Sequence, residues 1–205
     1  WQSTDAKLRD MHEAIAGWNG ALALTESHFA LPGRNRCDVL ATWAAGVANA
    51  RVLNVHERHG DVLKIATLAD FCGTRWQVNA VMIPVPGGQA FLMPVALVMS
   101  LYRHHTGSQA VNVMKAPDGL DVTASRTDNR IFLHVVNTER TRSISTRLAV
   151  QDHRVASGKV FQLAADSQVE VLDRNAIGLT THALPENGVW QFPAASVSAV
   201  ELEVT

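Results

Sequence analysis

Apolar residues at the start of the chain recur with helical spacing and then form a continuous run. The spacing predicts a helix from about Asp5 to Trp18, capped by Thr4 or Asp5. Its apolar face would consist of Leu8, Met11, Ile15 and Trp18. Residues 21–25 then form an apolar strand. Because strands that are apolar throughout are usually buried on both faces, this strand indicates a parallel sheet.

Up to residue 106, the pattern predicts three more helices and one more strand. A long helix should run from Asp38 to Arg58, and a second helix should cover residues 62–69. Residues 78–83 form the next apolar strand, and Pro94 begins a last helix. This βαβα order is typical of parallel α/β folds, but a closed (β/α)8 barrel needs eight such units. We therefore expect the last βα units of an incomplete TIM barrel.

The pattern changes near residues 106–108, after which short alternating runs dominate. Apolar and polar residues alternate around Val122 and around Leu133, and further short apolar runs follow, including 169–172 and 197–204. Seven or so strands separated by frequent turns indicate an antiparallel β-sandwich. The predicted fold class is thus α/β plus all-β, with a partial barrel domain at 1–107 and a sandwich domain at 108–205.

Charge and composition exclude several classes of partner. The formal net charge is -1 with 47% hydrophobic residues, which argues against a nucleic-acid surface and allows a large core. No apolar run approaches the ~20 residues that cross a bilayer, so we expect no membrane partner. Cys37 and Cys72 are expected to be buried free thiols. With no basic signal region at the first residues, we favour a cytoplasmic over a secreted location; homo-oligomerisation stays open.

The sequence predicts no cofactor and no metal. His56 and His59 flank Glu57 and Arg58, but the zincin motif requires histidines four residues apart on one helix face. No cysteine spacing typical of zinc sites occurs.

Glu26 is the first candidate for chemistry, because it follows an apolar strand directly. Catalytic residues of α/β barrels lie at the carboxyl ends of strands. A helix cap, or an ion pair with Arg34 or Arg36, would explain the same carboxylate without function. His28, two residues later, is a candidate to orient Glu26 or to act as a general acid, although a structural histidine is the default.

Trp76 and Asn79 are candidate substrate contacts near the second strand. Tryptophan rings stack on sugars, and amides bind hydroxyl groups. The alternatives are that Trp76 packs in the core and that Asn79 forms hydrogen bonds with backbone groups.

With these residues in view, the chain resembles the C-terminal part of clan-A glycoside hydrolases, and family 51 alpha-L-arabinofuranosidases in particular. The resemblance rests on segments that occur in the same order, namely Leu22–Glu26, the helix from Val39, Arg58-His59-Gly60-Asp61, residues 64–70, the strand 78–83, the Pro94 helix ending in Leu101-Tyr102-Arg103, and the sandwich. The family usually has an aromatic residue after its nucleophile, where this chain has Ser27-His28-Phe29. The family's polar residue on the last barrel strand would fall near Asn79.

The resemblance implies a retaining glycosidase that acts on plant-type polysaccharides or oligosaccharides. Glu26 would be the nucleophile, and His28, Trp76 and Asn79 would contact the carbohydrate. The family's acid/base is a Glu after an Asn at the end of the fourth barrel strand, which has no equivalent here. We therefore expect the acid/base in a missing N-terminal barrel segment, and no activity from this chain alone.

Two other functions are open at this stage. The chain could be a non-catalytic carbohydrate-binding or scaffold module, which predicts exposed aromatic residues on the sandwich. It could also belong to a divergent clan-A enzyme, such as a xylosidase or an endoglucanase, because substrate choice lies in loops.

Overall fold

The computed structural model describes residues 2–18, 20–25, 27, 39–68, 70–74 and 79–205. Helix α1 (Gln2–Ala14) begins earlier than predicted, so Thr4 and Asp5 lie inside it and do not cap it. Leu8 is its only buried residue, whereas Met11 and Trp18 are 48% and 77% exposed. The predicted apolar face is therefore wrong beyond Leu8, because no described element covers the C-terminal turns of α1.

A βαβ unit follows. Strand β1 (Leu22–Leu24) confirms the predicted apolar strand, and helix α2 (Trp43–Arg58) confirms the long helix, although the predicted cap Asp38 lies outside the described residues. Strand β2 (Leu63–Ala66) pairs with β1 in parallel. The helix predicted at 62–69 is wrong, because this short apolar segment gains more from pairing with β1 than from its helix-like spacing.

A second small sheet carries three strands, β3 (Asp70–Gly73), β4 (Asn79–Met82) and β5 (Phe91–Leu92). Strand β4 pairs with β3 in parallel and with β5 antiparallel, and it confirms the strand predicted at 78–83. Helix α3 (Pro94–His104) has Pro94 at its first turn, as predicted. Cys72 is free and exposed on β3, so the expected burial of this thiol is wrong; Cys37 lies outside the described residues.

Eight strands make up the rest of the chain: β6 (Gln109–Val111), β7 (Leu120–Thr127), β8 (Arg130–Asn137), β9 (Ile144–Arg147), β10 (Val155–Ala164), β11 (Thr180–Ala183), β12 (Val189–Phe192) and β13 (Ser196–Val204). Six of them form an antiparallel sheet in the order β11-β10-β13-β8-β7-β6, and β12 pairs with β9. Ile144 and Phe192 of the small sheet share a core with Val135 and Val200 of the large one, which confirms the sandwich prediction.

Two details of the sandwich prediction are wrong. Residues 169–172 form no strand, and only Glu170 makes an isolated bridge, to Thr42. Strand β11 was not predicted, because its sequence Thr-Thr-His-Ala carries little apolar signal. Strand β11 lies at the edge of the large sheet, where polar residues are tolerated.

The largest core joins the helices to the sandwich. Trp43 of α2 and Val98 of α3 pack in one cluster with Val136 of β8 and Val197 of β13. All four side chains are completely buried. The helices therefore cover one face of the large antiparallel sheet.

Candidate functional site

The carboxyl ends of β1 and β2 meet at one edge of the parallel sheet. The Leu24 carbonyl accepts a 3.0 Å hydrogen bond from the Thr67 amide and a 3.4 Å bond from the Thr67 hydroxyl. Glu26 follows Leu24 by two positions in the sequence. The end of the strand that precedes Glu26 is thus fixed against the end of its neighbour.

One face of the β1–β2 sheet is covered and part of the other is open. Leu8 of α1, Val55 of α2 and Leu63 of β2 form a small core against the sheet. Ala23 and Ile65 are partners in the strand register, yet both are exposed, Ile65 to 59%. Because parallel sheets are normally buried on both faces, this apolar pair marks a surface that another element would cover.

Three of the four predicted site residues lie outside the described residues, namely Glu26, His28 and Trp76. Asn79 is described: it begins β4, is 5% exposed and is the register partner of Asp70. The structure thus fixes the strand that leads to Glu26 and the position of Asn79.

Asn79 packs directly against Gly73. A Cβ atom on Gly73 would lie 2.8 Å from Asn79 Oδ1 and 2.9 Å from Nδ2, closer than real contacts allow. Gly73 therefore provides the space that lets the Asn79 amide occupy its buried position between the two parallel strands.

A polar network that the sequence did not predict connects α2 to the sandwich. The Glu57 carboxylate accepts a hydrogen bond from the Thr123 hydroxyl and lies 2.7 Å from Nδ1 of His134. The His134 ring stacks on Tyr102 of α3 at 3.8 Å between centroids. Glu57 is thereby occupied by structural partners.

Asn54 extends this network to a second carboxylate. Its side-chain oxygen accepts hydrogen bonds from Tyr102 at 2.6 Å and from Thr123 at 3.2 Å. Its amide nitrogen donates to Asp121 Oδ1 at 3.1 Å, and Asp121 also binds Arg58. No local sequence motif signals the network, since its members come from α2, α3, β7 and β8.

Burial changes the pKa of two groups in this region. It raises the pKa of the Tyr102 phenol well above its usual range, and the nearby Glu57 and Asp121 charges act in the same direction. Burial also lowers the pKa of His56 to about 4, assisted by His59 and opposed by Glu57. Tyr102 therefore serves as a neutral hydrogen-bond donor, and His56 is a neutral buried ring.

Two further histidines, His59 and His105, have structural partners. His59 lies 2.9 Å from Asp5 of α1, and the hydrogen bond from His59 lowers the pKa of Asp5. His105, which follows the end of α3, lies 2.8 Å from Glu201 and stacks on Phe161. Among the described residues, no group of three His, Cys, Asp or Glu is arranged to hold a metal ion, and no described helix is long and apolar enough to cross a membrane.

Comparison with known proteins identifies relatives of the whole chain. Residues 26–196 match the family model described as the alpha-L-arabinofuranosidase C-terminal domain. No curated protein matches the chain. The first residue of the matched segment is Glu26 itself.

Solved structures show the same fold at low sequence identity. The GH51 alpha-L-arabinofuranosidase from Thermotoga petrophila is 19% identical, with a TM-score of 0.77 over 97% of this chain and 47% of its own. The arabinose complex of the Thermotoga maritima alpha-L-arabinofuranosidase is 18% identical, with a TM-score of 0.76 over 98% of this chain and 47% of its own. CelM2, a bifunctional glucanase-xylanase from a metagenome library, is 16% identical, with a TM-score of 0.65 over 97% of this chain and 34% of its own.

The chain spans less than half of the length of these three structures. Their identity is low enough that the likeness concerns the fold alone. The family model, in contrast, matches most of the chain and therefore decides its membership. This chain belongs to the alpha-L-arabinofuranosidase C-terminal domain family.

Proposed function

We propose that the chain is the C-terminal part of a retaining glycoside hydrolase, of the alpha-L-arabinofuranosidase type, with Glu26 as its nucleophile. The observation that supports this proposal best is the fixed edge at Leu24 and Thr67, two positions before Glu26. A carboxylate at the carboxyl end of a parallel strand is where barrel enzymes carry their chemistry.

In the proposed mechanism, the Glu26 carboxylate attacks the anomeric carbon while the bond from that carbon to the leaving oxygen breaks. A second carboxyl group, about 5 Å away in retaining enzymes, protonates the leaving oxygen. Water then attacks the same carbon, gives its proton to the second group and releases Glu26. Two displacements leave the anomeric configuration unchanged.

The second carboxyl group would come from barrel units outside this chain. Glu57 and Asp121 are each held by hydrogen bonds in the network between α2 and the sandwich, so neither is available for the role. The exposed apolar pair Ala23 and Ile65 supports the need for further barrel strands. We infer that these strands cover the pair and carry the acid/base.

His28, Trp76 and Asn79 remain our proposed carbohydrate contacts, and plant-type polysaccharides or oligosaccharides the proposed substrates. A xylosidase or endoglucanase would use the same nucleophile, because the fold is shared with the glucanase-xylanase CelM2. The non-catalytic alternative gains no support: Trp190, the only tryptophan of residues 108–205, packs partly buried against the second core of the sandwich.

The test uses the polypeptide that contains this chain together with the remaining barrel units. Replacement of Glu26 by Gln should reduce hydrolysis of an aryl alpha-L-arabinofuranoside by about a thousandfold or more, as expected for loss of a nucleophile. Glu13→Gln, at an exposed position of α1, should leave the rate unchanged. The chain of 205 residues alone should be inactive.

Azide gives the test its chemical specificity. In Glu26→Ala, the space left by the carboxylate admits azide, which attacks the anomeric carbon and yields a glycosyl azide of inverted configuration. Full activity of Glu26→Gln would refute the proposal, and so would an azide product of retained configuration. A parallel assay with aryl β-xylosides and β-glucosides identifies the sugar.

A further inference from the structure

A pocket lies between helix α2 and loops of the sandwich. It has a volume of about 220 Å³, and its polar lining consists of Arg51 from α2, Thr138 and Arg140 from the loop after β8, and Ser167 from the loop after β10. Small apolar residues, including Ala48 and Ala195, form the remaining walls. Pockets between structural modules are common sites for small ligands.

The lining of this pocket contains two guanidinium groups and no acidic residue. Arg51 has Asp121 at 3.6 Å as a charge partner. Arg140 is exposed, and its side chain makes no hydrogen bond or ion pair with any described residue. The carboxylates nearby in sequence have other contacts, since Glu139 pairs with Arg142 at 3.1 Å and Asp166 accepts a hydrogen bond from the Gln168 amide. The pocket therefore presents an excess of positive charge.

The loop that carries Arg140 is held in place by a buried side chain. Asn137 is completely buried, and its amide nitrogen donates to the carbonyls of Arg142, Phe192 and Pro193 at 2.8–3.1 Å. Its oxygen accepts the Glu139 amide at 3.0 Å. Arg140 thus projects from a backbone that is already ordered, which lowers the entropy lost on binding a ligand.

Ala195 gives the opposite wall an unusual backbone. Its φ of 47° lies in the left-handed region that favours glycine. The Trp43 indole donates to its carbonyl at 2.6 Å, and its amide donates to the Glu139 carbonyl at 2.8 Å. Non-glycine residues held in this region cluster at ligand sites.

The first amides of α2 do not form the pocket's binding groups. Trp43 and Ala44 donate their backbone N–H groups to the carbonyls of Val169 and Ser167 at 2.8 and 2.9 Å. The Ser167 hydroxyl, in contrast, donates to no acceptor among the described residues and is buried. The donors on which binding rests are therefore the Arg140 guanidinium and this hydroxyl, whereas the Arg51 guanidinium already has Asp121 as a partner.

We propose that this pocket binds a carboxylate group, either of an acidic sugar or of a small free acid. Guanidinium groups bind planar carboxylates with two parallel hydrogen bonds. The volume of about 220 Å³ is below the range of sites for large ligands, so one charged group enters rather than a whole oligosaccharide. This binding is independent of the proposed hydrolysis at Glu26.

The test is a titration of the chain with three probes by calorimetry and by NMR of the arginine side chains. Sodium glucuronate represents an acidic sugar, sodium acetate a free acid, and glucose the neutral control. We expect saturable glucuronate or acetate binding in about the millimolar range and none of glucose. Arg140→Gln should weaken it by about tenfold or more, because a charge-assisted pair is lost. The probe that binds with the higher affinity, glucuronate or acetate, identifies the source of the carboxylate.

Arg154→Gln is the matched control. Arg154 is likewise exposed and does not line the pocket, and its replacement leaves the ion pair between Arg142 and Glu139 intact. Its replacement should leave the affinity unchanged, and thermal unfolding should show that both variants fold. Absence of saturable binding by both acids, equal binding of glucose, or equal loss in the two variants would overturn the proposal.

Discussion

At the residue scale, the buried polar side chains were the part of this molecule that the sequence did not reveal. The segment with His56, Glu57 and His59 resembles a metal motif only superficially. In the structure, Glu57 and His59 have partners far away in the chain, and the ring nitrogens of His56 make no hydrogen bond among the described residues. Glu57 contacts His134 and Thr123, and His59 contacts Asp5. Contacts of this kind depend on how helices and sheets pack, which no local spacing encodes.

The buried His56 should make stability depend on pH. Its pKa is about 4 in the folded chain, against 6.5 for an unperturbed histidine. Between these values the unfolded chain binds the proton more readily, so stability is complete above pH 6.5 and falls as the pH decreases towards 4. The loss is at most about 3 kcal/mol.

Urea unfolding between pH 7 and pH 4 should show this loss in the wild type and a smaller one in His56→Gln. His153→Gln, at an exposed position, should keep the wild-type pH dependence. A His56→Gln variant whose stability changes with pH as the wild type does would contradict the assignment.

At the element scale, long helices and strands within uninterrupted apolar runs were predictable, whereas a short segment that mixes apolar and polar residues was not. The helices α2 and α3 and the strands β1 and β4 agree with the sequence prediction. Strand β2 was taken for a helix, because four residues contain too little information to distinguish the two periods. Its strand state depends on β1, its parallel partner. The site followed the same rule: the strand before Glu26 was predictable, whereas the pocket around Arg140 arises from elements that meet only in the folded chain.

The contact between β3 and β4 makes a prediction of its own. Gly73→Ala would place a methyl group within 3 Å of the Asn79 amide, so this buried amide or the backbone around it must move. We expect a loss of about 1–3 kcal/mol in unfolding free energy, as for other overpacked sites. Gly178→Ala is the matched control, since nothing lies within 4 Å of a Cβ at that position. Equal stability of the two variants in urea unfolding would contradict the close contact.

At the scale of the whole molecule, the predicted boundary near residue 107 separates two patterns in the sequence, but the hydrophobic core extends across it. The largest cluster contains Trp43 and Val98 from the helices and Val136 and Val197 from the sandwich. The open face at Ala23 and Ile65, on the other side, has no cover among the described residues. The helices thus pack on the sandwich on one side, and on the other side we propose that further barrel strands cover the open face.

If the core is shared, a change in α2 should weaken the sandwich. Trp43→Ala removes a completely buried side chain and should cost about 3–5 kcal/mol. Hydrogen exchange of the β8 and β13 amides should accelerate accordingly. Trp18→Ala makes the same substitution at a position that is 77% exposed, and should change stability by less than about 0.5 kcal/mol. Unchanged protection of β8 and β13 in Trp43→Ala would show that the sandwich is stable without the helix.

The indole of Trp43 also restricts how this chain can be recombined with others. Its nitrogen donates to the Ala195 carbonyl, so a side chain of the helical half holds a backbone turn of the sandwich half. A chimera that exchanges residues 108–205 for those of a relative would present α2 with a foreign turn. Such a hybrid should fold well only if the partner sequence reproduces that turn. Helix α2 and the sandwich therefore have to be exchanged together.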